Sequence, residues 1–490
     1  MQLYTPGPGT VRDAGRLLQR TAIRQLRLSL GILSAVLALG GRTAPATTVR
    51  ADFFVATNGR DTWSGRYAAP NDTHTDGPFA TLRRARDAVR VLRGKHPNRN
   101  IRVLIRDGRY TLRRTVVFGL ADGTDGKTTV TYEAFPGETP VFSAGVPLDG
   151  WRRTDSPPAG LPDKSLPHLW QVRVARACIP FYTLYVSGGR LPRARTDGFR
   201  PTLVGKDRRA AFNKIPFPAG ALKAWDRLQD VEVVLYPRIQ FSMNILGLES
   251  VDGDAGIATT TIPATAPITH PSSRLFSGAD TASAWVENVF EGLDSPGEWV
   301  LDTTTATLYL RPRNGRPDAS VLVPVLRELI RVEGDISPEA PSDRPVQGLV
   351  FRGLTFRHGD RDLWTESSTG LQHDWELYDQ ANALLRFRGA SDCVVENCRF
   401  AVSGGTGIRL DLHAQRNRLI GNRLEHLGGC GILLCGYGPG TKDVNRHNEV
   451  LNNHIHHCGE LYWHAPGIMV WQSGRNRVAH NLIHHLPYNG

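Results

Sequence analysis

Residues 407–430 read GIRLDLHAQRNRLIGNRLEHLGGC, and two later stretches, GILLCGY from Gly431 and GIMVWQSGRNRVAHNLIHHLPYN from Gly467, open in the same frame. Gly490 would open the next copy. In that frame Asn422, Asn453 and Asn481 share one column, with Cys398 in the same place one turn earlier. Five positions before them stand Cys393, Asn417, Asn448 and Asn476, and two positions after them Phe400, Leu424, Ile455 and Ile483. An earlier turn, LVFRGLTFRHG, puts Leu349, Leu354 and Phe356 in the matching places. A unit of 23 to 25 residues with three short strands and stacked apolar and asparagine columns is the sequence form of a parallel β-helix. Each rung then pairs with the next at ~4.8 Å, and the asparagines bond to one another up the stack. The unit from Gly431 is longer, 36 residues, because it carries the loops GYGPGTKDVN and ELYWHAP. Loops on a rigid solenoid commonly build its working face.

The rest of the chain fits a mainly β protein, rich in glycine and proline, poor in methionine, with β-branched runs such as VEVVLYP. Phe79 to Arg93 has one apolar face (Leu82, Ala85, Val89, Leu92) and reads as a helix capping the first rung. IRVLIRDGRYTL and TTVTYEAFPGETPVFSAG read as the first rungs. From about 146 to 325 proline-rich joints and the hairpin-like GEWVLDTTTATLYLRP break the pattern. The expected organisation is a signal segment over 1–46, cap and first rungs over 51–145, an inserted β domain over 146–325, and the solenoid over 326–490.

The first 46 residues hold five spaced arginines, the apolar run LSLGILSAVLALGG and then Ala44-Pro45-Ala46, which together read as a secretory signal. The expected location is therefore secreted or periplasmic. The apolar run falls short of the ~20 residues that span a bilayer, so no membrane span is expected. The net charge is +12, and this segment's six arginines and one aspartate hold five of those charges, leaving +7 after cleavage. That charge is spread with no basic run mixed with aromatics, which argues against nucleic acid as partner. Six cysteines in an exported chain invite disulfides, yet a chain of 490 residues has core enough without them, and no spacing suits structural zinc.

FFVATNGRDTWSGR, DGPFATLRRARDAVR, LYVSGGRLPRAR, GEWVLDTTTATLYL and the closing rungs through NHIHHCGELYWHAPGIMV resemble the right-handed parallel β-helix proteins of glycoside hydrolase family 141 and its relatives. The resemblance covers nearly all of the chain after the signal. It implies a carbohydrate-active enzyme, with α-L-fucosidase and xylanase among the family's activities, acting on an oligo- or polysaccharide without a cofactor. It also implies further rungs beyond Gly490, so the chain reads as truncated.

Glycosidic cleavage uses two carboxyl groups, one giving a proton to the leaving oxygen and one acting as base or nucleophile. Stacked rungs set a ruler: ~5 Å for one rung, the retaining spacing, and ~9 Å for two, the inverting one. If the strand after each leading glycine alternates, Ile408, Leu410, Ile432, Leu434, Ile468 and Val470 point inward. Arg409, Asp411, Leu433, Cys435, Met469 and Trp471 then point outward beside Arg386 and Arg388. That mix suits a sugar, since rings pack on pyranose faces and arginines bind hydroxyls or carboxylates. The catalytic candidates are Asp411, Glu460 in the ELYWHAP loop, and Asp379 in the polar stretch WTESSTGLQHDWELYDQ. Substrate-binding candidates are Arg386, Arg409, Trp463, His464, Trp471 and Tyr488. The blander reading of Asp411 is a salt bridge to Arg388 or Arg409, and that of Trp463 is packing on its own solenoid. His426, His457 and His485 share one repeat column, and His456 and His484 the one before it. Parallel side chains on a stack converge poorly on an ion, so no metal site is expected there.

Two other readings stay open. One is a polysaccharide lyase or epimerase on uronates, which stacked arginines serve and in which calcium sometimes takes part. The other is a non-catalytic binding solenoid or an inactive fragment. A polygalacturonase is disfavoured because its N-T-D, D-D, G-H-G and R-I-K signatures are absent.

Overall fold

The computed structural model describes residues 49–186, 188–201, 210–237, 242–269, 282–366 and 378–490; the signal segment read over 1–46 lies outside them. Three parallel sheets wrap one core. The first stacks eight strands, from Phe53–Val55 through Val130–Ala134 and Leu349–Arg352 to Arg477–Ala479. The second stacks seven, from Arg109–Thr111 through Val141–Ser143 and Thr355–Arg357 to Leu482–His484. The third runs from Val116–Phe118 through Ile330–Glu333, Ala383–Ser391, Thr406–Gln415 and Ile432–Cys435 to Ile468–Trp471. The repeat columns are columns in space: Phe356 pairs with Phe400, Leu424 with Ile455, and Ile455 with Ile483.

The stacking has two causes. Apolar side chains fill the interior, where the rings of Phe142, Phe356 and Phe400 follow one another at 5.8 and 4.9 Å before Leu424 and Ile455 take over. Each such buried side chain contributes on the order of 2 kcal/mol. Corners are fixed by the backbone. The residue before each ladder asparagine has positive φ, as at Arg416, His447 and Arg475, and at Gly421, Asn452 and His480. That bend turns the next side chain inward. Asn453 Oδ1 accepts from the backbone N–H (2.9 Å) and the Nδ2 (3.0 Å) of Asn422, while Asn453 Nδ2 donates to Leu419 O at 3.0 Å. Cys393 and Cys398 occupy the same columns, and their backbone N–H groups donate to Asn417 and Asn422. Burial pushes both thiols up to about 12.

Helix α1, Leu82–Lys95, begins three residues later than the apolar pattern suggests because Thr81 caps it: Thr81 Oγ1 accepts from Arg84 N at 3.1 Å. Its buried face, Leu82, Ala85, Ala88, Val89 and Leu92, packs over the strands Phe53–Val55 and Val116–Phe118 at the first rung. After Ser143 the chain leaves the second sheet, and it rejoins the third only at Ile330. Between lie three antiparallel sheets, one of five strands built around Glu232–Leu235, Asn244–Asp252 and Ala284–Glu287. The pairing of Trp299–Asp302 with Thr307–Leu310 is the hairpin expected from GEWVLDTTTATLYLRP.

Ile408, Leu410, Ile432 and Leu434 are fully buried inside the solenoid. Val470, expected inside as well, is 42% exposed, and Ile468 is half-buried. Ile468–Trp471 is the last strand of its sheet, and among the described residues no rung covers it. No helix among the described residues is long and apolar enough to cross a membrane.

Candidate active site

The third sheet aligns Arg386, Arg409, Leu433 and Met469 in one row and Arg388, Asp411, Cys435 and Trp471 in the next. The expected open face is not open: Arg409 and Asp411 are fully buried and Arg386 is 2% exposed. Asp411 Oδ2 takes Arg386 Nη2 at 2.7 Å and Arg409 Nε at 3.1 Å, while its Oδ1 accepts from Asp379 N at 3.1 Å. The salt bridge considered between Asp411 and Arg388 does not form, because Arg388 turns to Asp379 (Nε to Oδ1, 2.6 Å). Arg386 Nη2 also reaches Asp379 at 2.5 Å. Burial works against the charge on Asp379, but Arg388 and Arg386 outweigh it and hold the carboxyl down at about 2. The web thus brings Asp379, Arg386, Arg409 and Asp411 together as mutually neutralised groups. Trp471 stacks on Tyr378 (6.1 Å, 13°), and Tyr488 lies 38% exposed near the last rung.

Glu460, Trp463 and His464 belong to a different place. Their loop leaves the second sheet after Gly459 and is pinned to the rung below, with Glu460 N donating to Leu427 O at 3.0 Å and Tyr462 N to Gly428 O at 2.9 Å. It docks on the inserted domain: Trp463 stacks on Tyr236 at 4.6 Å and meets Trp285 edge-on at 5.7 Å. His464 is 2% exposed, its ring edge-on to Trp364, so it supports the loop from beneath.

Between this loop and the inserted sheets lies a pocket of about 600 Å³, lined by Glu460 and Trp463 on one side and by Glu287, Arg193, Arg195 and Arg361 on the other. Glu460 Oε2 pairs with Arg190 Nη2 at 3.1 Å, and its Oε1 lies 2.9 Å from His426 Nδ1. Arg193 pairs with Glu232 and stands 3.9 Å from Glu287; Arg361 also pairs with Glu232. The two glutamates are driven apart. Burial raises Glu287, only partly offset by Arg193 and reinforced by Glu232. Burial opposes the charge on Glu232 too, but Arg361 and Arg193 overcome it and lower its pKa. Neighbouring carboxyls whose affinities for a proton are pushed in opposite directions suit the division of labour that acid–base chemistry requires.

Reading by repeats missed Glu287, Glu232 and Arg193, which lie between the rungs, and Arg361, which follows the rung strand Thr355–Arg357. Their sequence signal is faint: the closely spaced arginines of GGRLPRAR, and a glutamate closing the apolar strand AWVE.

The histidine columns are explained by the backbone. His426, His457 and His485 sit at successive corners with φ of 53°, 53° and 52°, a left-handed conformation in which histidine is enriched among non-glycine residues. His457 stacks on His485 at 5.0 Å, and His456 on His484 at 5.0 Å. Among the described residues no group of three or more His, Cys, Asp or Glu is placed to hold a metal ion.

Residues 347–490 match the family described as "Right handed beta helix region". The solenoid is a right-handed parallel β-helix. A solved structure described as "Glycoside hydrolase" aligns with this β-helix chain at a TM-score of 0.67 and 19% identity, covering 89% of this chain and 78% of that one. At that identity the likeness is one of fold. The Gp54 tailspike of Acinetobacter baumannii bacteriophage AP22, in complex with A. baumannii capsular saccharide, aligns over 81% of this chain and 47% of its own at 8% identity and a TM-score of 0.16, too low to carry any argument. None of the curated proteins matches the sequence.

Proposed function

We propose that this chain is an exported carbohydrate-active enzyme that hydrolyses glycosidic bonds in the pocket between the ELYWHAP loop and the inserted domain. One observation carries this reading: a single cavity collects a carboxyl held toward its protonated form, Glu287, a second carboxylate fixed from two sides, Glu460, and a tryptophan, Trp463. In this reading Glu287 gives its proton to the leaving glycosidic oxygen. Glu460 takes a proton from the attacking water, or itself attacks the anomeric carbon, with Arg190 and His426 orienting it. Trp463, backed edge-on by Trp285, supplies apolar surface for a pyranose face, and Arg193 keeps Glu287 and Glu232 in register. The resemblance to family 141, and the match of fold to a glycoside hydrolase, support the same class. Asp411 and Asp379 become structural in this account, and Arg386 and Arg409 their counter-ions.

The test is turnover of aryl fucosides, aryl xylosides and pectic oligosaccharides by the full chain. We expect hydrolysis of at least one, and a fall in kcat of about 10²–10⁴-fold in Glu287→Gln and in Glu460→Gln with unchanged Tm. Wild-type rates in both variants, or no substrate turned over, would sink the proposal.

A further inference from the structure

The pocket's arginines fall into two groups. Arg190 is matched by Glu460, and Arg193 and Arg361 share Glu232. Arg195 and Arg313 line the same cavity, both exposed, and among the described residues neither closes a salt bridge, although Arg195 lies across a bridge from Glu287 and acts on its charge. Arg195 is nevertheless held in place. Its guanidinium lies 5.2 Å from the centroid of the Trp285 ring, the ring that meets Trp463 edge-on.

Among the residues lining the pocket, five arginines face three glutamates. Glu460 is paired already, and Glu298 is turned to the backbone N–H groups of Asp294 (2.8 Å) and Ser295 (2.7 Å). Glu287 is held toward its neutral form by burial. The cavity therefore presents an uncompensated positive mouth beside aromatic rings. Planar guanidinium forks match a carboxylate or a sulfate ester with paired, charge-assisted hydrogen bonds, which hydroxyl groups alone cannot equal.

We infer that the sugar bound in this pocket carries an anionic substituent, a carboxylate or a sulfate ester, engaged by Arg195 and Arg313 at the mouth while the ring lies beside Trp463. The inference rests on reading the pocket as a sugar site and names the substrate class within it: acidic rather than neutral glycans.

The experiment is binding of the full chain to a panel of neutral oligosaccharides, galactose- and xylose-based, with their uronate-bearing and sulfated counterparts. It is run at low and at physiological salt and repeated with Arg195→Ala/Arg313→Ala. Anionic members should bind at least about tenfold tighter than their neutral counterparts, the scale of one charged hydrogen-bonded contact. The preference should shrink with salt. In the double variant it should vanish, with neutral binding and Tm unchanged because both side chains are exposed. Preference for the uronate set or for the sulfated set alone identifies the substituent.

Equal binding of neutral and anionic members, a preference surviving in the double variant, or no binding of any anionic member overturns the inference. Turnover of neutral glycans alone, lost in Glu287→Gln, overturns it and leaves the hydrolase reading standing. Acidic glycans bound through the two arginines but never hydrolysed would do the reverse. Release of an unsaturated uronate, seen by its absorbance, would replace hydrolysis by elimination at the same site.

Discussion

The β-helix and the inserted domain handle charge in opposite ways. On the solenoid an outward charge meets its counter-ion on the neighbouring strand: Arg352 lies between Glu133 and Glu396, and Arg418 faces Glu449. Parallel in-register stacking sets such partners about 4.8 Å apart, and where it aligns arginine with arginine, as Arg386 with Arg409 and Arg399 with Arg423, shared carboxylates such as Asp411 and Glu425 lie between them. The inserted antiparallel sheets have no such rule. They bring Glu232, Glu287 and Arg193 against the solenoid's Arg361 and loop, raise the pKa of one carboxyl by burial, and leave Arg195 and Arg313 without a salt bridge among the described residues. The solenoid satisfies its own groups, and the insertion supplies unsatisfied ones over it. Reactivity needs the second kind.

The sharpest way to break that contrast is to remove one charge from each region. Asp411→Ala strands Arg386 and Arg409 inside the protein, so it should cost about 3–5 kcal/mol of stability. Glu460→Ala removes a partly exposed pair with Arg190 and should cost less than about 1 kcal/mol while abolishing turnover. Urea unfolding midpoints and kcat measured on both variants check this. If Asp411→Ala were stable and inactive, the solenoid face would be the active site and the comparison would fall.

A smaller effect tests the repeat itself. Asn453 accepts two bonds from Asn422 and donates to Leu419 O, all within 3.0 Å and buried. Asn453→Ala leaves those groups without partners and should cost about 2–3 kcal/mol, read as a lowered unfolding midpoint. Asn481→Ala, on the more open rung above, should cost less.

This division also marks what could be read from the sequence. The solenoid was legible because every rung repeats the same physical problem, so asparagine, glycine and apolar columns announce themselves. The repeat also placed His456 and His457 of NHIHHC in columns shared with the next rung, which left ELYWHAP as the part needing another explanation. What a repeat cannot show is which outward residues are covered. Asp411 and Arg409 have the pattern of a surface and the burial of a core, because Asp379 and Asn382 fold over them. Glu287 was invisible for the complementary reason. Its meaning comes from contacts with Arg193, 94 residues earlier in the chain, and with a loop 173 residues later, and neither leaves a period in the sequence.

A pH dependence also belongs to the solenoid. Burial, with Arg357 and Arg109 adding to it, depresses His358 to about 3; its ring lies 2.9 Å from Ser143 Oγ and packs on Tyr185. Burial likewise brings His456 to about 4, opposed by Glu425 at 3.2 Å and reinforced by His454 and His457. Both titrate near 6.5 when unfolded. Above that pH neither state is protonated and nothing changes. Between about 6.5 and 4 the unfolded chain binds protons that the folded one refuses, so stability falls as pH falls. Asp379 acts in a lower window: its stabilisation is full above about 3.8 and is lost only as pH drops toward 2. Tm recorded from pH 7 to 4 should therefore decline before Asp379 is protonated, and His456→Asn should flatten part of that decline. A flat profile over this range would mean that the buried imidazoles open to water more cheaply than their packing allows.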